Sequence, residues 1–262
     1  MPEGDAVHRT AARLRAALDG RVLARSDFRV PRYATADLSG RTVLTTVPRG
    51  KHLLTRVEGG LTVHTHLRMD GSWRIQRAGT PVRGGDAVRL VLVNDVRQAV
   101  GVKLGMVDLV PTTEEHRLVG HLGPDLLDPA WTQAHAAHAA ANLARHPTTP
   151  IGEALLDQRN VAGLGTIWRA ETLFLAGVSP HRPVAEVADL RKLVTLAHRL
   201  LDAGKDTPGG PLTTGDPRPG RRLWAYGRPG RPCLRCGTRI LTGELGNAPY
   251  ERVIYYCPHC QP

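Results

Sequence analysis

The chain has 262 residues, enough for one large domain or two moderate ones, and with aromatics at only 4% its core must be built of Leu, Val and Ala. Its 35 Lys and Arg against 24 Asp and Glu give a net charge of +11 and a pI of about 10.2. That field points to nucleic acid first and an acidic membrane surface second, with Arg-rich genome composition as the bland explanation. No apolar stretch is long enough to span a bilayer, and the acidic start Met1-Pro2-Glu3-Gly4-Asp5 lacks the apolar run of a secretory signal.

In chain order, Val7, Ala11, Leu14 and Leu18 recur at helical spacing and Gly20 stands where a C-terminal cap belongs, so a helix begins almost at the first residue. From about 21 to 111 the pattern changes to short β runs at 41–47, 52–57, 61–67, 72–75, 88–93 and 102–110, which predicts a sandwich or barrel with the helix at its front. Pro111 marks the change to helices, expected at 113–120, 129–145, 150–157, 165–175 and 183–203. A loop rich in Pro, Gly and Thr follows at 207–220. The fold class is α+β in three parts: a helix plus β-sandwich domain at 1–111, a helical domain at 112–205, and a loop with a small metal-bound unit at 206–262.

All four cysteines fall in that last part, as Cys233-x2-Cys236 and Cys257-x2-Cys260. Two such knuckles match a zinc ribbon, each giving two thiolates from a tight turn, and four thiolates close the coordination sphere, so the zinc is structural. A redox pair is the rival, but neither knuckle sits beside a βαβ pattern. Clustered thiols suit a reducing compartment, which makes the cytoplasm the default. The ribbon's strands are expected at 238–241 and 253–256, with Arg252 near the hairpin tip and Arg239 on the first strand, both suited to phosphate.

Pro2 carries a different chemistry. Removal of the initiator Met before a small residue exposes a secondary amine, whose pKa the positive end of the following helix lowers. Such an amine is a usable nucleophile at neutral pH. Attack on C1′ of a deoxynucleotide displaces the base and leaves an iminium ion, which acidifies C2′–H and invites β-elimination, with Glu3 adjacent to move protons. The plainer role of Pro2 is to begin a helix.

Five segments, in order, resemble the formamidopyrimidine-DNA glycosylase and endonuclease VIII family. They are Met1-Pro2-Glu3-Gly4-Asp5, Arg49-Gly50-Lys51-His52-Leu53-Leu54, Asp157 to Gly165, Thr213 to Arg228 and the terminal cysteine pairs. His66 to Trp73 is closer to the endonuclease VIII branch, in its actinobacterial form. The resemblance implies a bifunctional DNA glycosylase and abasic-site lyase that removes oxidised bases and cuts the strand by β,δ-elimination. Pro2 is then the Schiff-base nucleophile, Glu3 the acid/base, Lys51 the residue assisting β-elimination, and Arg252 the one assisting δ-elimination and binding phosphate.

The Asp157 to Gly165 segment resembles the family's helix–two-turn–helix, which places Gln158, Asn160 and Thr166 at DNA; Thr166 stands where relatives offer Asn. Met69, in the Arg68-Met69-Asp70 turn, is the expected wedge that fills the gap left by an extruded base, or else a core filler. Arg97 is a candidate for the opposite strand, Ala6 replaces a frequent Glu, and a second wedge loop at Ala99 and Val100 lacks an aromatic. His64 and His66 alternate on a strand face without a third ligand and read as sheet residues, while His135 and His138 read as the polar face of a helix.

The expected partner is damaged DNA, held in a basic groove between two domains by a monomer working at the nucleoid. A short loop at 207–220 leaves little material for a purine-enclosing lid, which favours oxidised pyrimidines over oxidised purines. A non-catalytic zinc-ribbon nucleic-acid-binding protein is the rival from another class. It accounts for the charge and the cysteines but not for the Pro-Glu start or the Arg-Gly-Lys strand.

Overall fold

The computed structural model describes residues 2–246 and 251–262. They form two compact units, the first running to His121 and the second starting at Leu122.

In the first unit, helix α1 (Gly4–Leu18) turns Val7, Ala11, Leu14 and Leu18 inward, all of them buried. Eight strands follow: β1 (Arg25–Phe28), β2 (Val43–Arg49), β3 (His52–Val57), β4 (Leu61–His66), β5 (Ser72–Arg77), β6 (Val88–Val93), β7 (Arg97–Val102) and β8 (Met106–Pro111). They make two antiparallel four-stranded sheets, ordered β1-β6-β7-β5 and β2-β3-β4-β8, that is, a sandwich. One core joins them, with α1 residues, Leu53, Val57 and Val63 from one sheet, and Trp73, Leu90, Leu92 and Ala99 from the other. Two polar ties fix α1 to both sheets. Arg15 Nη1 donates to the Thr46 carbonyl on β2 at 2.8 Å, and Asn94 Nδ2 donates to the Ala17 carbonyl at 2.9 Å.

Three strand expectations need correction. β1 was not foreseen, because its four residues show only one buried apolar position, Phe28. Of the run expected at 102–110, Val102 ends β7 and 106–110 belong to β8 in the other sheet, with a break where Lys103 takes φ 50° and Gly105 follows. Ala99 and Val100 are buried strand residues of β7 and belong to no loop. The turn closes earlier because Asn94 Oδ1 accepts from Val96 N and Arg97 N, leaving Val96 as the exposed apolar residue there.

The second unit holds α3 (Gln133–Ala144), α4 (Ile151–Ala154), α5 (Thr166–Ala176) and α6 (Leu190–Lys205), after a one-turn α2 (His116–Val119) that ends the first. Leu126, Leu143, Leu164, Trp168 and Leu201 anchor its core. The helix expected at 183–203 begins later, at an Asp189 cap that accepts from Lys192 N at 2.8 Å, after a 3-10 turn at Val184–Glu186. His135 closes a capping box with Thr132, and His138 is exposed on the same helix.

The ribbon strands are β9 (Leu241–Leu245) and β10 (Arg252–Tyr256), so the first lies further along than expected. Arg239 precedes it, in an isolated bridge with Pro232. Among the described residues no helix is long and apolar enough to cross a membrane.

Candidate active site and metal centre

Pro2 is half-buried at the head of α1. Met1, whose removal would expose its amine, lies outside the described residues. Glu3 is the extended N-cap residue of the helix, its carbonyl accepting from Val7 N at 3.0 Å, and its side chain is 1% exposed. The positive end of the helix dipole therefore falls on Pro2 and Glu3. Asp5, beside Ala6, is buried and pairs with Arg9 at 2.9 Å, so the only acid of that turn holds the helix surface.

Lys51 stands in the two-residue turn between β2 and β3, whose flanking residues Arg49 and His52 are cross-strand partners. Gly50 supplies the left-handed first position at φ 56°, which an L side chain resists. The β4–β5 turn carries Arg68, Met69 and Asp70, and Met69 is 61% exposed, so it fills no core. Arg68 is itself left-handed at φ 51°, with its N–H donated to His66 Nδ1 at 2.9 Å. Gly105 lies underneath: a Cβ there would come within 2.2 Å of the Arg68 side chain. The strand break after β7 thus makes room for the turn. Arg97 is exposed at the first position of β7.

In the second unit the loop between α4 and α5 is cross-linked from within. Gln158 Nε2 donates to the carbonyls of Leu156 and Leu164, and its Oε1 accepts from Gly163 N at 3.0 Å. Asn160, buried, donates to the Ala154 carbonyl at 3.0 Å. Both amides thus shape the loop, a use that residue spacing alone does not reveal. Thr166 is buried at the first position of α5.

The four cysteine sulfurs lie within 4.8 Å of one another, with Cys233–Cys260 at 4.0 Å and Cys236–Cys257 at 3.5 Å. Tetrahedral thiolates about 2.3 Å from zinc sit roughly 3.8 Å apart, so the set fits a metal ion. The knuckles are held from behind. Gln261 Oε1 accepts from Cys257 N while its amide donates to the Val178 carbonyl, and Arg235 stacks over Phe174 and Trp224.

Two buried residues of α5 that sequence reasoning missed organise this end of the chain. Glu171 accepts from the backbone N–H groups of Trp224, Ala225 and Tyr226 and from the Thr213 hydroxyl. Arg169 donates to the carbonyls of Gly152 and of Val253, the residue after Arg252. Arg252 itself is exposed at the start of β10. Helical spacing marked these two charges only as residues on a mostly apolar helix; their partners lie up to 84 positions away.

Two family models match the chain: the formamidopyrimidine-DNA glycosylase N-terminal domain over residues 1–108 and the formamidopyrimidine-DNA glycosylase H2TH domain over residues 122–205. The probable endonuclease 8 2 of Streptomyces coelicolor is 54% identical over 265 residues, covering 100% of this chain and 94% of that protein. The DNA-(apurinic or apyrimidinic site) lyase Nei2 of Mycolicibacterium smegmatis is 45% identical, covering 100% and 99%. Among solved structures, Lactococcus lactis Fpg in complex with DNA containing an abasic site has the same fold, with a TM-score of 0.82 at 23% identity over 99% of each chain.

Proposed function

Since the chain belongs to the formamidopyrimidine-DNA glycosylase and endonuclease VIII family of DNA-repair glycosylases and abasic-site lyases, we propose that its own reaction runs through the amine of Pro2. The observation that carries this reading is the placement of Pro2 at the head of α1 with buried Glu3 as its N-cap neighbour. The amine attacks C1′ of the damaged nucleotide, and the C1′–N bond breaks with its electron pair leaving on the base. Loss of the amine proton and opening of the sugar ring, with Glu3 shuttling the protons, give an iminium ion. A C2′ proton then leaves and the C3′–O bond breaks, expelling the 3′ phosphate; a second elimination expels the 5′ phosphate. Lys51 supplies the cation for the first elimination and Arg252 for the second.

Met69, exposed on a short rigid turn, is the wedge, and Arg97 faces the opposite strand. Phosphates are met by Arg68, by Arg252 and by the α4–α5 loop, where Gln158 and Asn160 act by shaping the backbone and Thr166 by its place at the head of α5. Zinc is the metal of the four thiolates and is structural. The substrate is oxidised DNA bases, pyrimidines before purines, and the enzyme works as a monomer in the cytoplasm at the nucleoid. The three parts 1–111, 112–205 and 206–262 correspond to catalysis, helix–two-turn–helix binding and zinc finger.

The test is borohydride trapping. Protein with Met1 removed, incubated with DNA carrying an abasic site and reduced, is expected to form a covalent adduct that a Met1-retaining form does not. Absence of the adduct with DNA binding intact would overturn the amine chemistry and leave a binding protein.

A further inference from the structure

The connection from β5 to β6 has to cross a strand. In the sheet order β1-β6-β7-β5 the two are separated by β7, so residues 78–87 run over it as a strap. The strap takes the outer face of the sheet. Cross-strand partners share a face, and on this one Arg74 stands opposite Val100, Gln76 opposite Gln98 and Ser72 opposite Val102. The alternate residues Trp73 and Ala99 point the other way, into the main core.

Two contacts fasten the strap. Gln98 Nε2 donates to the Thr80 carbonyl at 2.6 Å, and Val82 packs onto a second small core of Val88, Val91, Val100 and Val102. Beside them a niche of about 260 Å³ stays open, lined by Arg74, Gln76 and buried Val100 of the sheet and by Thr80, Pro81 and Arg83 of the strap.

The lining carries one sign of charge. One guanidinium comes from the strand, the other from the strap, and no carboxylate is among the lining residues. Among the described residues neither Arg74 nor Arg83 has an ion pair or a side-chain hydrogen bond, and the Gln76 amide is likewise unpaired. Other arginines of this unit are already taken: Arg21 pairs with Asp95 and Arg29 with Asp27. Guanidinium groups bind oxyanions through paired N–H donors, and here those donors are left for a ligand.

The rest of the lining separates one oxyanion from another. It offers no aromatic ring on which a nucleobase could stack. Val100 and Pro81 give aliphatic surface, while Gln76 and Thr80 give an amide and a hydroxyl that match peptide groups. A volume at the low end of ligand pockets suits the side chains of a short segment.

We propose that the niche under the strap docks a short acidic peptide segment of a partner protein, with carboxylates on Arg74 and Arg83 and an apolar side chain against Val100 and Pro81. None of the residues assigned to base removal or strand cutting lines it, so the segment tethers the enzyme without entering its reaction.

The experiment titrates ¹⁵N-labelled full-length protein with the peptide Asp-Leu-Asp-Glu-Leu-Glu, its counterpart with Lys for every acid, dAMP, and a short undamaged duplex. Two double variants are compared: Arg74→Ala with Arg83→Ala, and Arg77→Ala with Arg89→Ala, which removes the same charge from exposed positions outside the niche. The acidic peptide is expected to shift the backbone amides of Gln76, Thr80 and Arg83 saturably, and the Lys peptide is not. Its affinity should fall about tenfold or more in the niche variant and stay within about twofold in the other. Cutting of abasic-site DNA should stay within about twofold in both.

Equal losses in the two variants would reduce the binding to general charge attraction and overturn the proposal. So would no shift with the acidic peptide, or shifts of the same amides by dAMP or duplex alone, which would make the niche a nucleic-acid contact. Loss of cutting in the niche variant would place Arg74 or Arg83 in the DNA-handling machinery, and the tethering role would fall.

Discussion

His66 holds the left-handed turn at Arg68 through a ring nitrogen that can accept only while it carries no proton. Burial, followed by Arg68, His64 and Lys51, pushes His66 down to about 4, and His52 stands at about 3. In the unfolded chain both return to about 6.5, so below that pH the unfolded state binds more protons than the folded one. Stability is therefore full above about pH 6.5 and lost as the pH falls toward 4, by up to roughly 2 kcal/mol per ring at pH 5. Urea unfolding at pH 7 and pH 5 checks this, with His52→Phe expected to lose about half of the dependence. An unchanged midpoint would mean the rings are already charged in the folded state.

At the scale of elements, a metal ion held by the four thiolates would support more than its own turns. Phe174 on α5 and Trp224 stack at 5.4 Å beneath Arg235, whose knuckle the sulfurs hold. Chelation of the metal is expected to unfold β9 and β10, change the Trp224 fluorescence and weaken DNA binding tenfold or more, by about 1.4 kcal/mol or more. Intact affinity after complete metal removal would count against a DNA-binding hairpin.

The cysteine spacing made this unit legible, because two knuckles close together in sequence are also close in space. α1 was equally legible, its four periodic apolar residues all being buried. What stayed hidden was built across the sheet or between distant segments. His52, His64 and Asp108 meet only through strand register, and Glu171 reaches a loop 53 to 55 positions away. Gln158 and Asn160 were expected at DNA, and nothing in their spacing showed that their amides turn onto their own backbone. The β7–β8 break was missed because a lone left-handed Lys103 leaves no mark in an apolar run.

The whole molecule carries +11, and its binding to DNA is expected to weaken steeply with salt through counterion release. Replacing Arg252 by Ala should lower the slope of log affinity against log salt by about 1 and weaken all sequences alike. Titrations on two unrelated duplexes at several salt concentrations check both points, and a loss confined to one sequence would count against a phosphate contact. The same molecule uses side chains of its second unit to grip loop backbone. Glu171 takes three successive N–H groups, and Gln158, Asn160 and Asn142 take carbonyls and an N–H of the α4–α5 loop. Backbone groups are the same whatever residue bears them. These loops therefore tolerate a change of spelling far better than a change of length: an exchanged residue leaves the latch shut, while a single insertion moves every rung past its partner.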